Sequence, residues 1–412
     1  MSAESPTAAL DAAAQIPAVM NPREIVLISS VLPAPTSAGE IILHRHLSQA
    51  QDWNVSVIAD RRRGSELSLP TRVVKRLYRT RFRRWAGSLD VLAHGRRWDI
   101  LLPSRADGNH RTVVLTVAHG DGCWAARRFA RKHSLPLATI FHDWWPDIPE
   151  VHAPCRRVLD RRFRQLYRDS DLALCVSDGM RHALGRHANS RVLYPLPSSL
   201  PSGFRLNAEN RSSQLQVLYS GNLYDYGDML GALLAHVQDH PTVRLQVRGP
   251  NPNWPADFQA EMRGRGLWFD FVPRAEFIQW LNSADAFLVV MSFDARLRRR
   301  METSFPSKLT EFAQVGRPLV IWGPEYCSAV QWARGGDRAY CVTDERPAAL
   351  VAALAALQRS PQRCAHYGVA ALEAATREFD PALLQREFVD ALAELTHAAA
   401  QARLAHGQAG RN

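Results

Sequence analysis

A chain of 412 residues, 46% apolar and 22% charged, is too long for one typical hydrophobic core and too apolar for wholesale disorder, so two domains of roughly 200 residues each are expected. No stretch approaches the roughly 18 consecutive apolar residues that a membrane span needs, and the six cysteines are dispersed without a C-x-x-C pair, which argues against a structural zinc site or a redox dithiol. The net charge of +11 belongs to the first half, where residues 1–200 hold 29 Lys+Arg against 18 Asp+Glu while residues 201–412 hold 22 of each, so the first half is the one expected to face an anionic partner.

Residues 1–22, Ala-rich and weakly patterned, are expected to form a loose tail, with neither the basic start nor the long apolar run of a secretory signal. "EIVLISSVLP" (24–33) has the pattern of a buried strand and runs through a Pro- and Ser-containing loop into an amphipathic helix from about Glu40. "NVSVIAD" (54–60), "DILLP" (99–103), "TVVLTVAHG" (112–120), "LPLATIFHD", "DLALCVSD" and "SRVLYP" follow as strands, and helices such as "CWAARRFARKH" and "CRRVLDRRFRQLYRDS" separate the later ones. Strands alternating with helices of this length predict a parallel sheet covered on both faces. The pattern stops in "PLPSSLPSGFRLNAENRSS", whose Pro, Ser, Gly and Asn mark a linker near 198–213.

A second series then begins: strands "LQVLYSG" (215–221), "VRLQVRG" (243–249), "LWFDFV", "DAFLVVMS", "RPLVIWG" and "RAYCVT" alternate with helices, and helices over 346–358, 361–376 and 381–405 close the chain. The predicted architecture is α/β with two Rossmann-like doubly wound domains and an interdomain cleft. Their ranges are 23–197 and 214–380, with a C-terminal segment, 381–412, packing back toward the first. Ligands bind beyond the C-terminal ends of strands in such sheets, so the cleft is the expected site. No G-x-G-x-x-G follows the first strand of either half and no P-loop occurs, which removes most support for dinucleotide or P-loop chemistry.

The stretch "SFPSKLTEFAQVGRPLVIWGP" (304–324) carries Lys308, one of only three lysines in the chain. A cation in a helical first turn opposes the helix dipole, so its placement makes sense where something negative docks. Leu309, Phe312, Ala313 and Gly316 fall on one face that would pack on the sheet, with Lys308 and Glu311 together beside it. Glu311 is placed to accept hydrogen bonds from hydroxyls such as those of a ribose. A plain i,i+3 surface pair is the competing reading, and Lys ahead of Glu is its poorer orientation.

"FPSKLTEFAQVGRPLVIWG" resembles the donor-binding segment of GT-B fold glycosyltransferases of the GT4-like group. "VLYSGNL" is similar to the opening strand and glycine loop of their donor domain, and "FVPRAEFIQWLNSADAFLVVMS" to their base-binding loop, helix and strand. "VLISSVLPAPTSAGEIILHRHL" is similar to the start of their acceptor domain, and "VLTVAH", "ATIFHD" and "DLALCVSDGM" to strands lining their cleft. The resemblance spans roughly residues 24–395. It implies that Glu311 binds the nucleotide ribose and Lys308 the diphosphate. Gly39 would let backbone amides approach phosphate or acceptor, Gly221 would open the donor loop, and backbone around Val272–Arg274 would hold the base. His119 would contact the donor sugar, and Leu309 belongs to the same donor segment. It further implies a retaining reaction without a metal or other cofactor, the nucleotide-sugar being a co-substrate.

Two departures stand out. After Gly221 this chain has Asn222 where many relatives have Arg, with no Lys following in "GNLYDYGDM", and Thr303 stands where many have a second Glu, with Glu302 adjacent. Lys308, Arg248 and Arg274 are therefore all open as the cation that stabilises a leaving diphosphate. Asp169-Ser-Asp171 precedes a strand rather than following one, and reads as a turn or cap rather than a metal pair.

"FHDWWPDIPEVH" (141–152) puts His142, Asp143, Trp144 and Trp145 just past a strand, where tryptophans can stack on sugars and Asp143 can bind hydroxyls. Packed loop with apolar fill is the alternative. His119, Lys308 and Asp143 are the expected catalytic groups. "TRVVKRLYRTRFRRW" (71–85) mixes seven Lys/Arg with aromatics and no acid. Lys75, Arg76, Arg79, Arg83 and Arg84 are accordingly expected to face an anionic membrane, ahead of nucleic acid, for which no binding motif is present. The resulting expectation is a cytoplasmic glycosyltransferase, peripheral on the inner membrane face, acting on a saccharide or lipid-linked acceptor in surface polysaccharide or glycolipid synthesis. A nucleotide-sugar epimerase of the same architecture, or a non-catalytic binder of sugar nucleotides or nucleic acid, are the rival readings.

Overall fold

The computed structural model describes residues 23–34, 38–59, 81–100, 102, 111–148, 150–201, 213–250 and 252–409. The expected N-terminal tail and Lys75, Arg76 and Arg79 lie outside them. Six strands build the first sheet: β1 (Arg23–Ser29), β2 (Trp53–Ala59), β3 (Thr112–Val117), β4 (Leu137–Phe141), β5 (Leu172–Cys175) and β6 (Ser190–Val192). Helices α1 (Ala38–Ser48), α2 (Arg83–Ala93), α3 (Gly122–His133), α4 (Ala153–Asp169) and α5 (Asp178–Leu184) connect them. A second six-stranded sheet holds β7 (Leu215–Ser220), β8 (Val243–Arg248), β9 (Trp268–Phe269), β10 (Ala286–Val290), β11 (Leu319–Trp322) and β12 (Tyr340–Val342). Its helices are α6 (Gly227–Val237), α7 (Ala256–Gly264), α8 (Arg274–Asn282), α9 (Arg298–Thr303), α10 (Ser307–Ala313), α11 (Ser328–Arg334), α12 (Pro347–Gln358) and α13 (Pro361–Arg377), and α14 (Pro381–Ala409) ends the chain.

Every strand pair is parallel, and the orders are β2-β1-β3-β4-β5-β6 and β12-β11-β10-β7-β8-β9. Strands such as β3 and β10 are buried at every position, as the uninterrupted Val, Leu and Phe runs require when helices cover both faces. In each sheet the order reverses beside the first strand, between β1 and β3 and between β7 and β10, and crevices form at such reversals.

The predicted strand "DILLP" is replaced over Arg96–Ile100 by a 3-10 turn. Trp98 occupies the space against the first sheet, 1% exposed and packed in the same core cluster as Val114 and Trp124, so burial of one large ring outweighs the short apolar run.

The two halves meet closely beside the cleft. The Ser177 hydroxyl caps α5 by accepting from Met180 N (3.0 Å) and donates to the Thr303 carbonyl (2.6 Å). A Cβ at Gly179 would fall 1.9 Å from Glu302 O, so only glycine lets the two backbones approach this far. α14 crosses back to the first sheet, where Phe388, Ala391, Leu392 and Leu395 cluster with Ile25, Leu27 and Leu115.

Candidate functional site

The strand ends of both sheets open onto one cavity of about 760 Å³. The first half contributes Gly39, Ile42 and Arg45 of α1, His142 and Asp143 after β4, and Val176 and Pro195. The second contributes the loop after β7 (Ser220–Tyr224), Phe271 after β9, Met291 after β10, Arg300 of α9, and Ser304–Lys308 with Glu311 at the start of α10.

Lys308 and Glu311 both line this cavity, while Leu309, Phe312 and Ala313 on the other face of α10 are fully buried. Gly316, at φ +73°, ends the segment in the left-handed region that glycine tolerates. α10 is seven residues long rather than the eleven expected, so its dipole is small and the charge of the site comes from side chains. Lys308 Nζ lies 2.8 Å from Glu311 Oε2 and 5.2 Å from the centre of the Phe277 ring. Glu311 Oε1 accepts from both terminal nitrogens of Arg45, at 3.2 and 3.1 Å, across the cleft. Burial works to raise the Glu311 pKa, but Lys308 and Arg45 outweigh it and hold the carboxyl below its ordinary range.

A second charged group sits deeper. Arg300 Nη1 donates to Asp225 (2.9 Å), and Asn222 Nδ2 donates to the same carboxylate (2.6 Å). Asn222 Oδ1 accepts from the backbone of Tyr224 (2.7 Å) and Asp225 (3.2 Å), so this residue shapes the loop after Gly221. Burial works to lower the Arg300 pKa, but Asp143, Tyr226 and Asp225 outweigh it and raise it. Ser304 Oγ donates to Asp143 (2.8 Å), and His142 Nε2 lies 3.5 Å from the other Asp143 oxygen.

The structure places the remaining expected residues as follows. Gly39, Gly221, Asn222, His142 and Asp143 line the cavity with Lys308 and Glu311. His119 stands behind His142, the rings stacked at 5.9 Å and 15°. Val272 follows Phe271, which does line the cavity. Arg248 is held away from it, its guanidinium 4.8 Å from Phe269 and 4.9 Å from Trp280 and bonded to Asp270 O. Arg274 donates to the Ser199 carbonyl of the crossing segment.

Trp144 and Trp145 present no free ring face. Trp144 is 1% exposed and lies between Arg164 (4.8 Å) and Arg299 (5.0 Å), and Trp145 packs on Trp124 at 5.2 Å. Leu309 is likewise core, so only its backbone could serve a ligand. Glu302 does not replace the missing acid at Thr303: it pairs with Arg298 (2.8 Å) and lines a separate groove behind the lobe junction. Asp171 accepts from Leu137 N (2.8 Å) and Asp169 pairs with Arg127, structural roles for both. Among the described residues no group of three His, Cys, Asp or Glu is arranged to hold a metal ion, and no helix is long and apolar enough to cross a membrane.

Arg45, Arg300 and Phe271 are site residues that sequence reasoning passed over. Arg45 had a usable signal, since it lies three residues after Ile42 and six after Gly39 on a helix that starts at the cleft. Arg300 sits in "RLRRRMET", which reads as a solvated basic run until α9 turns one of its arginines inward.

No protein-family model and no curated protein matches this sequence. Solved structures do. Sucrose-phosphate synthase from Thermosynechococcus elongatus superposes with a TM-score of 0.62 at 13% identity, over 91% of this chain and 100% of that one. A glycosyltransferase from Rickettsia africae gives 0.59 at 13%, over 91% and 99%. Anabaena HepE, in complex with UDP-glucose, gives 0.57 at 16%, over 90% and 100%. Two parallel helix-covered sheets facing one another across a cleft are common to all of them, and the chain has the GT-B fold of these glycosyltransferase structures.

Proposed function

We propose that the protein is a GT4-like glycosyltransferase that moves a sugar from a nucleotide-diphosphate donor to an acceptor, with retention and without a metal. One observation carries this reading: Lys308 and Glu311, 2.8 Å apart, line a cavity of about 760 Å³ formed by both lobes at the strand ends. In this reading Glu311 accepts from the ribose hydroxyls. The base lies along Phe271 and the backbone of Val272–Arg274. The diphosphate lies toward Lys308, whose ammonium stabilises the charge that develops as the sugar–phosphate bond breaks. Donor bonds to a carboxylate already ionised and buried are the stronger, charge-assisted kind. His142 and Asp143 face the opposite side of the cavity, where the acceptor would enter.

The acceptor is proposed to be a saccharide or lipid-linked glycan in surface polysaccharide or glycolipid synthesis, reached from the cytoplasmic face of an anionic membrane. The observation favouring a membrane is α2. Phe82, just before it, and Trp85, Leu89 and Leu92 on it are 44–61% exposed on one stripe, and Arg81, Arg83 and Arg84 beside them are also exposed. Arg83 pairs with Glu150, and the Trp85 ring meets His152 at 4.7 Å. Those contacts place α2 against the loop that carries His142 and Asp143.

A thermal-shift screen of UDP-, GDP- and dTDP-sugars tests the donor assignment. A ligand at about 100 times its Kd adds about 2.7 kcal/mol of stability, enough to raise the melting temperature measurably. Glu311→Ala should abolish the shift. If none of the donors moves the wild-type melting temperature, the assignment is wrong.

A further inference from the structure

Arg45 belongs to α1 of the first lobe, yet its guanidinium ends on a carboxylate of the second. Nη1 and Nη2 both donate to Glu311 Oε1, and Nη1 also donates to Leu196 O (2.8 Å). Leu196 lies on the segment that crosses between the lobes. The next carbonyls on that segment are taken from the other side: Ser198 O accepts from Gln314 (3.0 Å), and Ser199 O from Arg274. Arg45 therefore closes a ring of bonds linking α1, the crossing segment and α10, and it can do so only at one separation of the lobes.

Glu311 is correspondingly constrained. Its side chain is 15% exposed, and three donors from Arg45 and Lys308 occupy its two oxygens. An ionised carboxylate offers about four acceptor positions, so this network leaves about one for a ligand hydroxyl and fixes where it points. Lys308 comes from the same helix as Glu311 and holds it whatever the other lobe does, whereas Arg45 does not.

We propose that Arg45 is a positioning residue for nucleoside recognition: reaching from the first lobe, it orients the Glu311 carboxylate of the second, so that binding of the ligand's ribose depends on the closed arrangement of the lobes. The proposal rests on the donor reading given above. It assigns Arg45 no contact with the reacting atoms.

The test is a double-mutant cycle on the full chain, with uridine and UDP, and in parallel guanosine and GDP, as calorimetric probes. Arg45→Met should weaken the nucleoside and its diphosphate by a similar factor, about fivefold to twentyfold, because the lost contact acts through the ribose site. In a Glu311→Gln background the same change should cost almost nothing further, since the group that Arg45 orients has lost its charge. Lys308→Met should instead penalise the diphosphate more than the nucleoside. Arg45→Lys, which keeps the charge but not the planar fork, should fall between wild type and Arg45→Met.

Unchanged nucleoside affinity in Arg45→Met, accompanied only by a lower melting temperature, would show a purely structural tie and overturn the proposal. Tighter binding would overturn it too, by making Arg45 a plug that competes with the ribose. So would equal losses in the wild-type and Glu311→Gln backgrounds. Should wild type bind neither UDP nor GDP, the donor reading itself has failed, which is a different result from any of these.

Discussion

His46 lies on the inner face of α1, 1% exposed, one residue beyond Arg45. Its Nδ1 is 2.9 Å from Gln385 Oε1, and Gln385 Nε2 donates back to the His46 carbonyl (3.0 Å). That second bond identifies the amide oxygen, so Nδ1 carries the proton and the ring is neutral. Burial lowers its pKa to about 4; the Gln385 bond opposes this and the Arg45 charge adds to it. An unfolded chain binds a proton on this histidine near pH 6.5, so below that pH the unfolded state holds more protons and stability falls as pH drops from about 6.5 toward about 4. The full effect is roughly 3 kcal/mol by linkage. In urea denaturation at pH 7.5 and 4.5, a His46→Leu/Gln385→Leu variant should lose less stability between the two pH values than wild type. Equal losses would mean that His46 is not held neutral. The same scale shows what a residue string conceals. Lys308 and Glu311, three apart, are adjacent on any helix, so their pairing was legible. Arg45 and Glu311 are 266 positions apart and meet only because two separate sheets present them to one cavity.

Among the elements, α2 changes the reading of its own sequence. "TRVVKRLYRTRFRRW" reads as charge with scattered aromatics, and the helix that begins at Arg83 gives the apolar residues a direction. Ala86, Ser88 and Val91 turn inward, with Arg162 of α4 donating to the Val91 carbonyl, so the larger Trp85, Leu89 and Leu92 are left outward. Burial of one large apolar side chain is worth about 1.5–3 kcal/mol, and each Arg near an anionic surface about 1 kcal/mol. Sedimentation with phosphatidylcholine–phosphatidylglycerol vesicles should therefore carry the protein down, less so as salt rises, and Trp85→Ser/Leu89→Gln should weaken binding about tenfold or more. Because these side chains are exposed, the variant should melt with the wild type. Partitioning unaffected by the double change, or absent for wild type, would remove α2 as a membrane contact. The turn over Arg96–Ile100 is the opposite case: "DILLP" carries strand residues, but the Trp98 ring beside it decided the local backbone.

Over the whole molecule, the chain leaves the first lobe near residue 196, builds the second, and returns through α14. Phe388 is fully buried there among first-sheet residues such as Ile25, Leu27 and Leu43, so a helix encoded last completes the core encoded first. Phe388→Ala should cost about 3–5 kcal/mol, the usual toll for emptying a buried aromatic position, measured by chemical denaturation. A midpoint equal to that of wild type would show that α14 is not part of that core. Much of the molecule was legible before any coordinates. Alternating apolar runs and helix-period segments fix two parallel sheets, because hydrophobic periodicity is a local property and buried parallel strands have few alternatives. Lys308, Glu311, His142 and Asp143 were placed at strand ends and helix starts by the same logic. What only the tertiary structure decided is how side chains far apart in the chain share one space: Arg45 on Glu311, Arg300 on Asp225, Trp144 between two arginines, and α14 under the first sheet. Such contacts depend on the separation and angle of the two lobes, which no local pattern of residues encodes.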